Sequence, residues 1–387
     1  MPSDCRIAGQ RALVTGGVGL IGSHLTDLLV NCGWTVRVLD NLEPQTHRNG
    51  APPWLSAAQK RGVEFISGDI CDREIVTRAL RDIDVVFHEA AFGGYMPEIS
   101  KYFQVNSVGT AQLLEIIRDK NLPIKKLVVA SSQAVYQEGA GRCPVHALVF
   151  PRVRPPEQLR AGDFSVRCPI CGLQTESVPT PEIAPIGGET VYALTKVDQE
   201  KTVLQWGRQL GIPTVALRYS CTYGPRQSFF NPYTGVIAIF CTRLLNNLPP
   251  ALYEDGEQTR DFSFAGDIAH ANLLAASTDI LDGRAVNVGS GKAVTIRRIA
   301  EVVSGALGIK LSPVLNGEFR PGEMRHLISD TRLIQRAGYR PSVDIEEGIN
   351  RYVDWIRSQG DVKDYFGSAE RILRQKGILH KIQPMVA

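Results

Sequence analysis

The sequence has no excess of either charge and no long hydrophobic run. Its 43 Lys and Arg residues are balanced by 40 Asp and Glu residues, giving a formal net charge of +3. A protein that coats nucleic acid or a membrane surface needs a dense basic face, so we expect neither partner. No apolar run approaches the roughly 18 to 20 residues that cross a bilayer, and the N-terminal segment lacks the apolar stretch of a secretion signal. We therefore expect a soluble, cytoplasmic protein.

Cysteine is sparse, and glycine and proline are not concentrated in any one segment. Eight cysteines in 387 residues are too few for a disulfide scaffold, so we expect thiols or metal ligands. The 36 Gly and 23 Pro residues are spread along the chain, which argues against a collagen-like or low-complexity sequence. At roughly 150 residues per domain, the length predicts about two domains.

The first half of the sequence alternates short β-branched segments with amphipathic helical segments. Strands are predicted over 11–16, 35–40, 63–70, 84–90, 125–132 and 214–220, and helices over 103–121 and 188–211. Strands joined by helical crossovers are parallel, and right-handed crossovers place helices on both faces of the sheet. The pattern predicts a doubly wound α/β domain, in which ligands bind beyond the carboxyl ends of the strands.

The rest of the chain is predicted to form an insertion and a smaller second region. Residues 137–185 are rich in Pro and Arg and interrupt the alternation. Beyond the last predicted strand Pro and Gly become denser and the helices shorter, which indicates a smaller α+β region. We therefore place one domain at 1–221, its sheet completed by part of 262–290, and a second domain mainly at 222–387.

A glycine-rich turn follows the first predicted strand. Gly16, Gly19 and Gly22 lie at GxxGxxG spacing between a strand and a helix. The first glycine permits the tight turn, the second lets a pyrophosphate approach the backbone, and the third lets the helix pack on the strand. The helix that begins near Leu20 and Ile21 would present free N–H groups to the anion. An ordinary tight turn is the alternative.

Asp40 ends the second predicted strand, 18 positions beyond Gly22. A carboxylate there can accept hydrogen bonds from the adenosine ribose and would repel a 2′-phosphate, which favours NAD over NADP. Asp40 could instead cap the following turn with Asn41. Asp69 and Ile70, at the end of the third predicted strand, lie where the edge of an adenine ring could be bound.

Tyr192 and Lys196 are four residues apart on one predicted helix and therefore share a face. A free phenol has a pKa near 10 and is a poor base at neutral pH. A neighbouring ammonium favours the phenolate, so we expect Lys196 to lower the pKa of Tyr192. Ser132, at the carboxyl end of the fifth strand, could bind the same substrate hydroxyl. These residues also occur by chance on a solvated helix and at a strand end, so they are informative only together with the glycine turn.

Several further motifs occur in a fixed order between about residue 11 and about residue 356. They are TGGVGLIG, HEAA (88–91), the NxxGT stretch that begins at Asn106, YALTK (192–196), LRYSCTYGPRQ, RDFSFAGDIAHA and NVGSGKAVTIRRIAEVV. Together they resemble the extended short-chain dehydrogenase/reductase family, in particular its nucleotide-sugar epimerase branch. The resemblance implies a Rossmann fold, bound NAD, a nucleotide-sugar-binding domain at 222–387 and a homodimer.

The same resemblance implies roles for individual residues. Tyr192 would be the acid/base, Lys196 would hold the nicotinamide ribose, and Ser132 would bind the reacting hydroxyl. The residues expected at the cofactor are Gly16, Gly19, Leu20, Ile21, Gly22, Asp40, Asn41, Asp69, Ile70, Ala90, Asn106, Tyr192 and Lys196. Those expected at the substrate are Ser132, Gln133, Cys221, Arg226, Arg260 and Arg320, the last two on the nucleotide diphosphate. Cys221 stands where the family usually has Asn. For Arg260 and Arg320, a surface salt bridge is the alternative role.

The residues after the fifth strand distinguish the reactions of this branch. Related 4,6-dehydratases typically carry Thr, Asp and Glu where this chain has Ser132, Gln133 and Ala134, so elimination of water lacks an acid and a base. We therefore expect an isomerase that inverts a sugar C4 hydroxyl through a transient 4-keto intermediate, with NAD taking up the hydride and returning it. The segment 228–245 and the cysteine-bearing insertion look most like dTDP-L-rhamnose 4-epimerases, which interconvert that sugar and dTDP-6-deoxy-L-talose. A dehydratase or reductase on the same scaffold is the alternative, followed by a non-catalytic NAD-binding partner protein.

The insertion carries a pattern typical of a metal site. CPVH (143–146) and CPIC (168–171) supply Cys143, His146, Cys168 and Cys171, the number and types of ligand that a tetrahedral structural zinc requires. A long loop with little core of its own could be ordered by such an ion. A flexible lid with incidental thiols, or a disulfide, is the alternative. The segment 149–160 has only three Arg and no stacking aromatic residue beyond Phe150, so nucleic-acid binding by the insertion is not expected.

Overall fold

The computed structural model describes residues 9–44, 46–47, 50, 52–94, 96, 98–231 and 235–383. The strands are β1 Arg11–Thr15, β2 Thr35–Asp40, β3 Glu64–Ser67, β4 Val85–His88, β5 Lys126–Ser132, β6 Ala140–Cys143, β7 Ala147–Val149, β8 Glu176–Val178, β9 Thr214–Tyr219, β10 Cys221–Tyr223, β11 Ala251–Leu252, β12 Thr259–Arg260, β13 Phe262–Phe264, β14 Arg284–Val288, β15 Val294–Thr295, β16 Val314–Leu315, β17 Glu318–Phe319, β18 His326–Leu327 and β19 His380–Lys381. The helices are α1 Leu20–Asn31, α2 Pro53–Lys60, α3 Arg73–Ala79, α4 Ile99–Tyr102, α5 Gly109–Asp119, α6 Pro156–Arg160, α7 Val191–Leu210, α8 Val236–Leu245, α9 Ala265–Ser277, α10 Ile296–Leu307, α11 Arg332–Arg336, α12 Ile345–Arg357 and α13 Phe366–Gln375. A π-helical turn, Phe103–Val108, precedes α5, and a short 3-10 helix, Gln133–Val135, follows β5.

Seven parallel strands form the central sheet, in the order β3-β2-β1-β4-β5-β9-β14. Its strands are apolar on both faces, as expected for a parallel sheet covered by helices on both sides. Residues Val14, Phe87 and Val128 pack towards α1 and α9, and Leu13, Val86 and Leu127 pack towards α5 and α7. The strand order reverses between β1 and β4, which opens a crevice beyond their carboxyl ends. The predicted doubly wound parallel sheet is confirmed.

Local side-chain contacts explain where the elements differ from the predicted bounds. The third strand ends at Ser67 rather than at residue 70, because Asp69 accepts a hydrogen bond from its own neighbour Cys71 N and turns the chain. The predicted helix 188–211 begins at Val191, where the hydroxyl of Thr190 caps the first turn, and ends at Leu210, after which Gly211 adopts the left-handed conformation.

The insertion and the C-terminal half form smaller structures beside the sheet. Within the insertion, β7, β6 and β8 make an antiparallel sheet. In the C-terminal half, α8, α10 and α12 enclose one hydrophobic cluster together with β10 and β13, whereas α9 and β14 return to the central domain.

Among the described residues, no helix combines the length and the apolar composition that a membrane span needs. Cys32 is disulfide-bonded, so the expectation of thiols or metal ligands is wrong for this residue.

Candidate active site

A cleft of about 640 Å³ opens beyond the carboxyl ends of β1, β4 and β5 and extends between the sheet and the C-terminal half. Most of the residues predicted from the sequence line it. These are Gly16, Gly19, Leu20, Ile21, Gly22, Asp40, Asn41, Ile70, Ala90, Ser132, Gln133, Tyr192, Lys196, Cys221, Arg260 and Arg320. Asp69, Asn106 and Arg226 are not among the lining residues.

The glycine turn is shaped as an anion site. A Cβ on Gly22 would lie 2.4 Å from the carbonyl oxygen of Gly16, so a side chain there would separate α1 from the turn. Gly16 itself has a φ of +65°, and a Cβ on it would lie 2.7 Å from the backbone nitrogen of Ala90. Helix α1 starts after Gly19 without a side-chain cap and without an acidic residue in its first turn. Its first N–H groups therefore face the cleft, where an anion can bind them.

Asp40 is fixed at the rim of this turn. One of its carboxylate oxygens accepts a hydrogen bond from Val18 N (2.9 Å) and the other from Leu42 N (2.8 Å). Burial raises the pKa of Asp40, while these two hydrogen bonds act against the rise. The contact with Leu42 shows that Asp40 caps the following turn, and each oxygen retains a lone pair for a ribose hydroxyl.

Asp69 supports the cleft from outside rather than lining it. Its carboxylate accepts a hydrogen bond from the side-chain amide of Asn41 (2.8 Å) and another from Cys71 N. Burial raises the pKa of Asp69, but these hydrogen bonds outweigh it and hold the pKa below its usual value. Asn41 and Ile70 line the cleft, whereas Asp69 is joined to it through Asn41, and its expected contact with the cofactor stays a prediction.

Asn106 is fully buried and is engaged by its own neighbours. Its side-chain oxygen accepts a hydrogen bond from Phe92 N, and its amide donates to Phe92 O and to the hydroxyl of Thr195. Both N–H donors are thus used within the described residues, and the expected contact of Asn106 with the cofactor stays a prediction. Asn106 fastens the loop after β4 to α7, and it lies in the π-helical turn, a distortion that is frequent at functional sites.

Arg226 lies outside the cleft, contrary to its predicted place at the substrate. Its guanidinium forms a salt bridge with Asp27 (2.7 Å) and lies over the ring of Trp54 (4.8 Å). A hydrogen bond to Ser23 O completes its attachment to α1. The sequence motif located the right loop but could not show to which side this arginine turns.

Tyr192, Ser132 and Lys196 meet in the cleft as predicted, but their electrostatics differ from the prediction. Burial raises the pKa of Tyr192, and a hydrogen bond with Ser132 acts against this. The ammonium of Lys196 donates to Ala130 O and to the side-chain oxygen of Gln199, both at 2.7 Å. Lys196 therefore does not lower the pKa of Tyr192 in this structure, and burial lowers its own pKa to about 8.

Glu89 is a titratable cleft residue that the sequence reasoning missed. It occupies the variable position of HEAA, and burial raises its pKa to about 7. The hydroxyl of Tyr219 donates to its carboxylate (2.7 Å), and its charge raises the pKa of Lys196 against the effect of burial. The only sequence signal was an acidic residue at a motif position that carries no requirement of its own.

Several buried amide oxygens on the cleft wall have no hydrogen-bond partner within the described part of the chain. They include the side-chain oxygens of Gln133, Gln227 and Gln258. The amide nitrogen of Gln133 donates to the sulfur of Cys221 (3.3 Å), and burial raises the pKa of Cys221 to about 11, so this residue remains a thiol at neutral pH. Unpaired buried acceptors are costly unless a ligand supplies donors, as a polyhydroxylated ligand does.

Two arginines form the opposite wall. Arg260 donates to the carboxylate of Glu323 (3.2 Å), and the guanidinium of Arg320 lies 3.9 Å from the other oxygen of that carboxylate. Arg320 also lies over the ring of Tyr253, at 4.6 Å. Two guanidinium groups beside one carboxylate make this wall suited to a polyanionic ligand.

Outside the cleft, the structure brings Cys143, His146, Cys168 and Cys171 together. Their ligand atoms all lie within 4.8 Å of one another. The sulfurs of Cys143 and Cys171 are 3.6 Å apart, and His146 Nδ1 is 3.7 Å from Cys143 and 3.6 Å from Cys168. With zinc–sulfur bonds of about 2.3 Å, two sulfurs of a tetrahedral site are about 3.8 Å apart. The spacing fits one small tetrahedral metal ion.

Comparisons with known proteins agree with this geometry. A dTDP-L-rhamnose 4-epimerase of Burkholderia thailandensis is 31% identical over 92% of this chain and 98% of its own length. A UDP-N-acetylglucosamine 4-epimerase from Methanobrevibacter ruminantium, solved with UDP-N-acetylmuramic acid, superposes with a TM-score of 0.73 at 30% identity, covering 91% of this chain and all of that one. A Thermus thermophilus UDP-glucose 4-epimerase complex with NAD gives a TM-score of 0.69 at 31% identity, covering 90% of this chain and all of that one.

The family model that matches is that of the NAD dependent epimerase/dehydratase family, over residues 12–152 and 168–289. The unmatched interval lies within the insertion. These relatives are 4-epimerases, which confirms the predicted enzyme class, an isomerase. The chain therefore belongs to the NAD dependent epimerase/dehydratase family, among the extended short-chain dehydrogenases/reductases.

Proposed function

We propose that the protein inverts the configuration at C4 of a nucleotide-activated sugar with bound NAD. The observation that carries the proposal is the shared cleft. It holds the phenol of Tyr192, its hydrogen-bond partner Ser132 and the buried ammonium of Lys196 on the same surface as the glycine turn.

The residues of the cleft fit NAD. The free N–H groups at the start of α1 would bind the pyrophosphate, and Asp40 would accept hydrogen bonds from the adenosine ribose. Lys196 uses two of its three N–H donors within the described residues, so one is available for the nicotinamide ribose. When bound, NAD supplies a hydride acceptor that can return the hydride to the substrate.

The chain's own residues would handle the proton. Tyr192 accepts it from the C4 hydroxyl as that carbon is oxidised, while Ser132 holds the same oxygen. The 4-keto sugar then turns over, and Tyr192 returns the proton when the carbon is reduced from its other face. Positioned proton transfer of this kind contributes about 10²- to 10⁴-fold to rate. Burial of the phenol excludes water from this exchange.

The sugar end of the cleft favours epimerisation over dehydration. Ser132, Gln133 and Ala134 offer no carboxyl group after β5. The cleft carboxyl groups described above all have partners: Glu89 accepts from Tyr219 on β9, Glu323 pairs with Arg260, and Asp40 accepts from Val18 N and Leu42 N. An elimination would need an acid and a base beside the sugar, and these residues supply neither.

For the substrate we propose dTDP-L-rhamnose, converted to dTDP-6-deoxy-L-talose. The similarity to the Burkholderia enzyme along almost the whole chain supports this choice. The unpaired amide oxygens of Gln133, Gln227 and Gln258 support a ligand with several hydroxyl donors.

The test is to incubate the purified protein with dTDP-L-rhamnose and a panel of UDP-sugars in deuterated water and to follow the products by NMR. We expect inversion at C4 without incorporation of deuterium at that carbon, because the hydride stays on the enzyme. A 4-keto-6-deoxy product would indicate a dehydratase, and consumption of added NADH would indicate a reductase. Absence of any conversion across the panel would contradict the proposal.

The pH profile should depend on Glu89. If the ammonium form of Lys196 is the active one, kcat falls as pH rises through the pKa of that residue, which is about 8. Glu89→Gln removes a charge that raises this pKa, so the basic limb should move to lower pH. Profiles of kcat from pH 6 to 10 measure the shift, with the exposed Glu301→Gln on α10 as control. If the basic limb of the kcat profile of Glu89→Gln does not move, Glu89 does not influence the pKa of Lys196.

We propose a structural zinc ion on Cys143, His146, Cys168 and Cys171. Four protein ligands leave no open position for a substrate, so the ion would order the insertion rather than take part in chemistry. Elemental analysis should find about one zinc per chain, and Cys168→Ser should lower that content. Cys71→Ser, which alters a thiol outside the cluster, should keep it. A well-folded wild-type protein without metal would contradict the site.

A homodimer through α5 and α7 is part of the same proposal. Phe103 and Val108 in the π-helical turn and Leu194 on α7 are large apolar residues exposed to solvent, as a subunit contact requires.

A further inference from the structure

A buried group of charges joins the insertion to the C-terminal half. This junction cluster consists of Glu138 and Arg154 from the insertion and Glu254, Asp255 and Arg325 from the C-terminal half. Arg154 binds Glu254 through both terminal nitrogens (2.9 and 3.1 Å) and lies 3.2 Å from Glu138. Arg325 binds Glu254 (2.9 Å) and both oxygens of Asp255 (2.6 and 2.7 Å).

The side chains at the centre of the junction cluster are buried from solvent. The side chains of Glu138, Arg154 and Glu254 are 0%, 2% and 2% exposed. Removing charges from water is costly, and a well-packed hydrophobic replacement is often as stable. Stability alone therefore does not explain why charges occupy this junction, and a positioning role is the better explanation.

The junction cluster is connected to the wall of the cleft through Glu323. Arg154 donates to Glu323 O (2.9 Å), and the carboxylate of Glu323 is the partner of Arg260 and lies 3.9 Å from Arg320. Arg260 also donates to Arg325 O (3.2 Å). Arg154 of the insertion thus contacts the backbone of segment 320–325. The side chain of Glu323, in the same segment, contacts Arg260 and lies near Arg320 on the cleft side.

We propose that Arg154 is a positioning residue for Arg260 and Arg320, so that the Cys/His-bearing insertion sets the affinity of the cleft for the diphosphate of its ligand. The inference rests on the proposed function, since it takes the two arginines to bind a nucleoside diphosphate. Arg154 itself is not among the residues that line the cleft. Its effect passes through the backbone of Glu323 and should weaken binding without slowing proton transfer at Tyr192.

The test is the double variant Arg154→Met/Glu254→Gln, which removes one positive and one negative charge and keeps the buried charges balanced. On the NAD-loaded enzyme, the Kd for dTDP or UDP, measured by calorimetry, and the KM for the nucleotide sugar should each rise about tenfold. The value of kcat should stay within about twofold and NAD content should not change. The control Arg167→Met breaks an exposed pair with Asp163 in the same insertion and should leave all four quantities unchanged.

A folded double variant that binds the nucleoside diphosphate with the wild-type Kd would overturn the inference. If the double variant does not fold, Arg154→Lys decides: it keeps the charge but lacks the planar fork that reaches Glu254 and Glu323 O together. We expect its Kd to rise about threefold, and an unchanged Kd would likewise overturn the inference. A wild-type enzyme that binds the diphosphate but converts no sugar would contradict the proposed function alone, because the Kd comparison would still test Arg154.

Discussion

Tyr192→Phe is expected to lower kcat by about 10³-fold while NAD remains bound. The substitution removes one oxygen atom and keeps the ring that packs in the cleft, so the change in rate reports proton transfer. The hydroxyl of Tyr192 is the only group for which we propose both removal and return of the C4 proton. Its neighbour Ser132 holds the substrate oxygen but is not proposed as a base.

The matched control for this variant is Tyr352→Phe. Tyr352 is fully buried in the hydrophobic cluster of the C-terminal half, and its hydroxyl has no hydrogen-bond partner within the described part of the chain. Its loss should leave kcat unchanged. Turnover is followed by NMR, and bound NAD is measured by absorbance after denaturation. Substantial residual activity in Tyr192→Phe would remove this residue from the mechanism.

Gly22→Ala is expected to abolish NAD binding and, with it, activity. The added Cβ would lie 2.4 Å from the carbonyl oxygen of Gly16 and 2.6 Å from the Cα of Gly17, both backbone atoms that cannot turn aside. Either α1 moves away from β1 or the turn changes shape, and in both cases the N–H groups that face the cleft lose their arrangement.

The control for the glycine variant is Gly305→Ala. Gly305 lies inside α10, and a Cβ on it would meet no atom within 4 Å. Alanine should stabilise this helix by about 0.5 to 1 kcal/mol and leave NAD content unchanged. Thermal denaturation and the content of bound NAD distinguish the two variants. A Gly22→Ala protein that retains NAD would show that the turn tolerates a side chain and would remove the steric argument.

The parts of the fold and site that depend on local sequence could be predicted. The parallel sheet followed from apolar strands alternating with helices, and the glycine turn from spacing that places three glycines between β1 and α1. Tyr192 and Lys196 were found because one turn of helix separates them. Each of these features is encoded within a few residues, so periodicity and spacing suffice to find it.

Features that depend on the direction of a side chain or on distant contacts could not be predicted. Arg226 belongs to a motif of the cleft but turns to Asp27 and Trp54, which lie about 170 or more positions earlier in the chain. The side-chain amide of Asn106 donates to Phe92 O and to the hydroxyl of Thr195, contacts that its motif does not show. The electrostatics of Lys196 follow from its burial, which no local pattern shows.

Strand β14 makes the central sheet depend on residues from both halves of the chain. The chain leaves the central sheet after β9, builds the opposite wall of the cleft, and only then returns to add its last parallel strand beside β9. In a fragment that stops before residue 284, β9 would be an unpaired edge strand, able to pair with strands of other molecules. A separately produced coenzyme-binding half would therefore need to include Arg284–Val288 and α9 to complete its sheet and core.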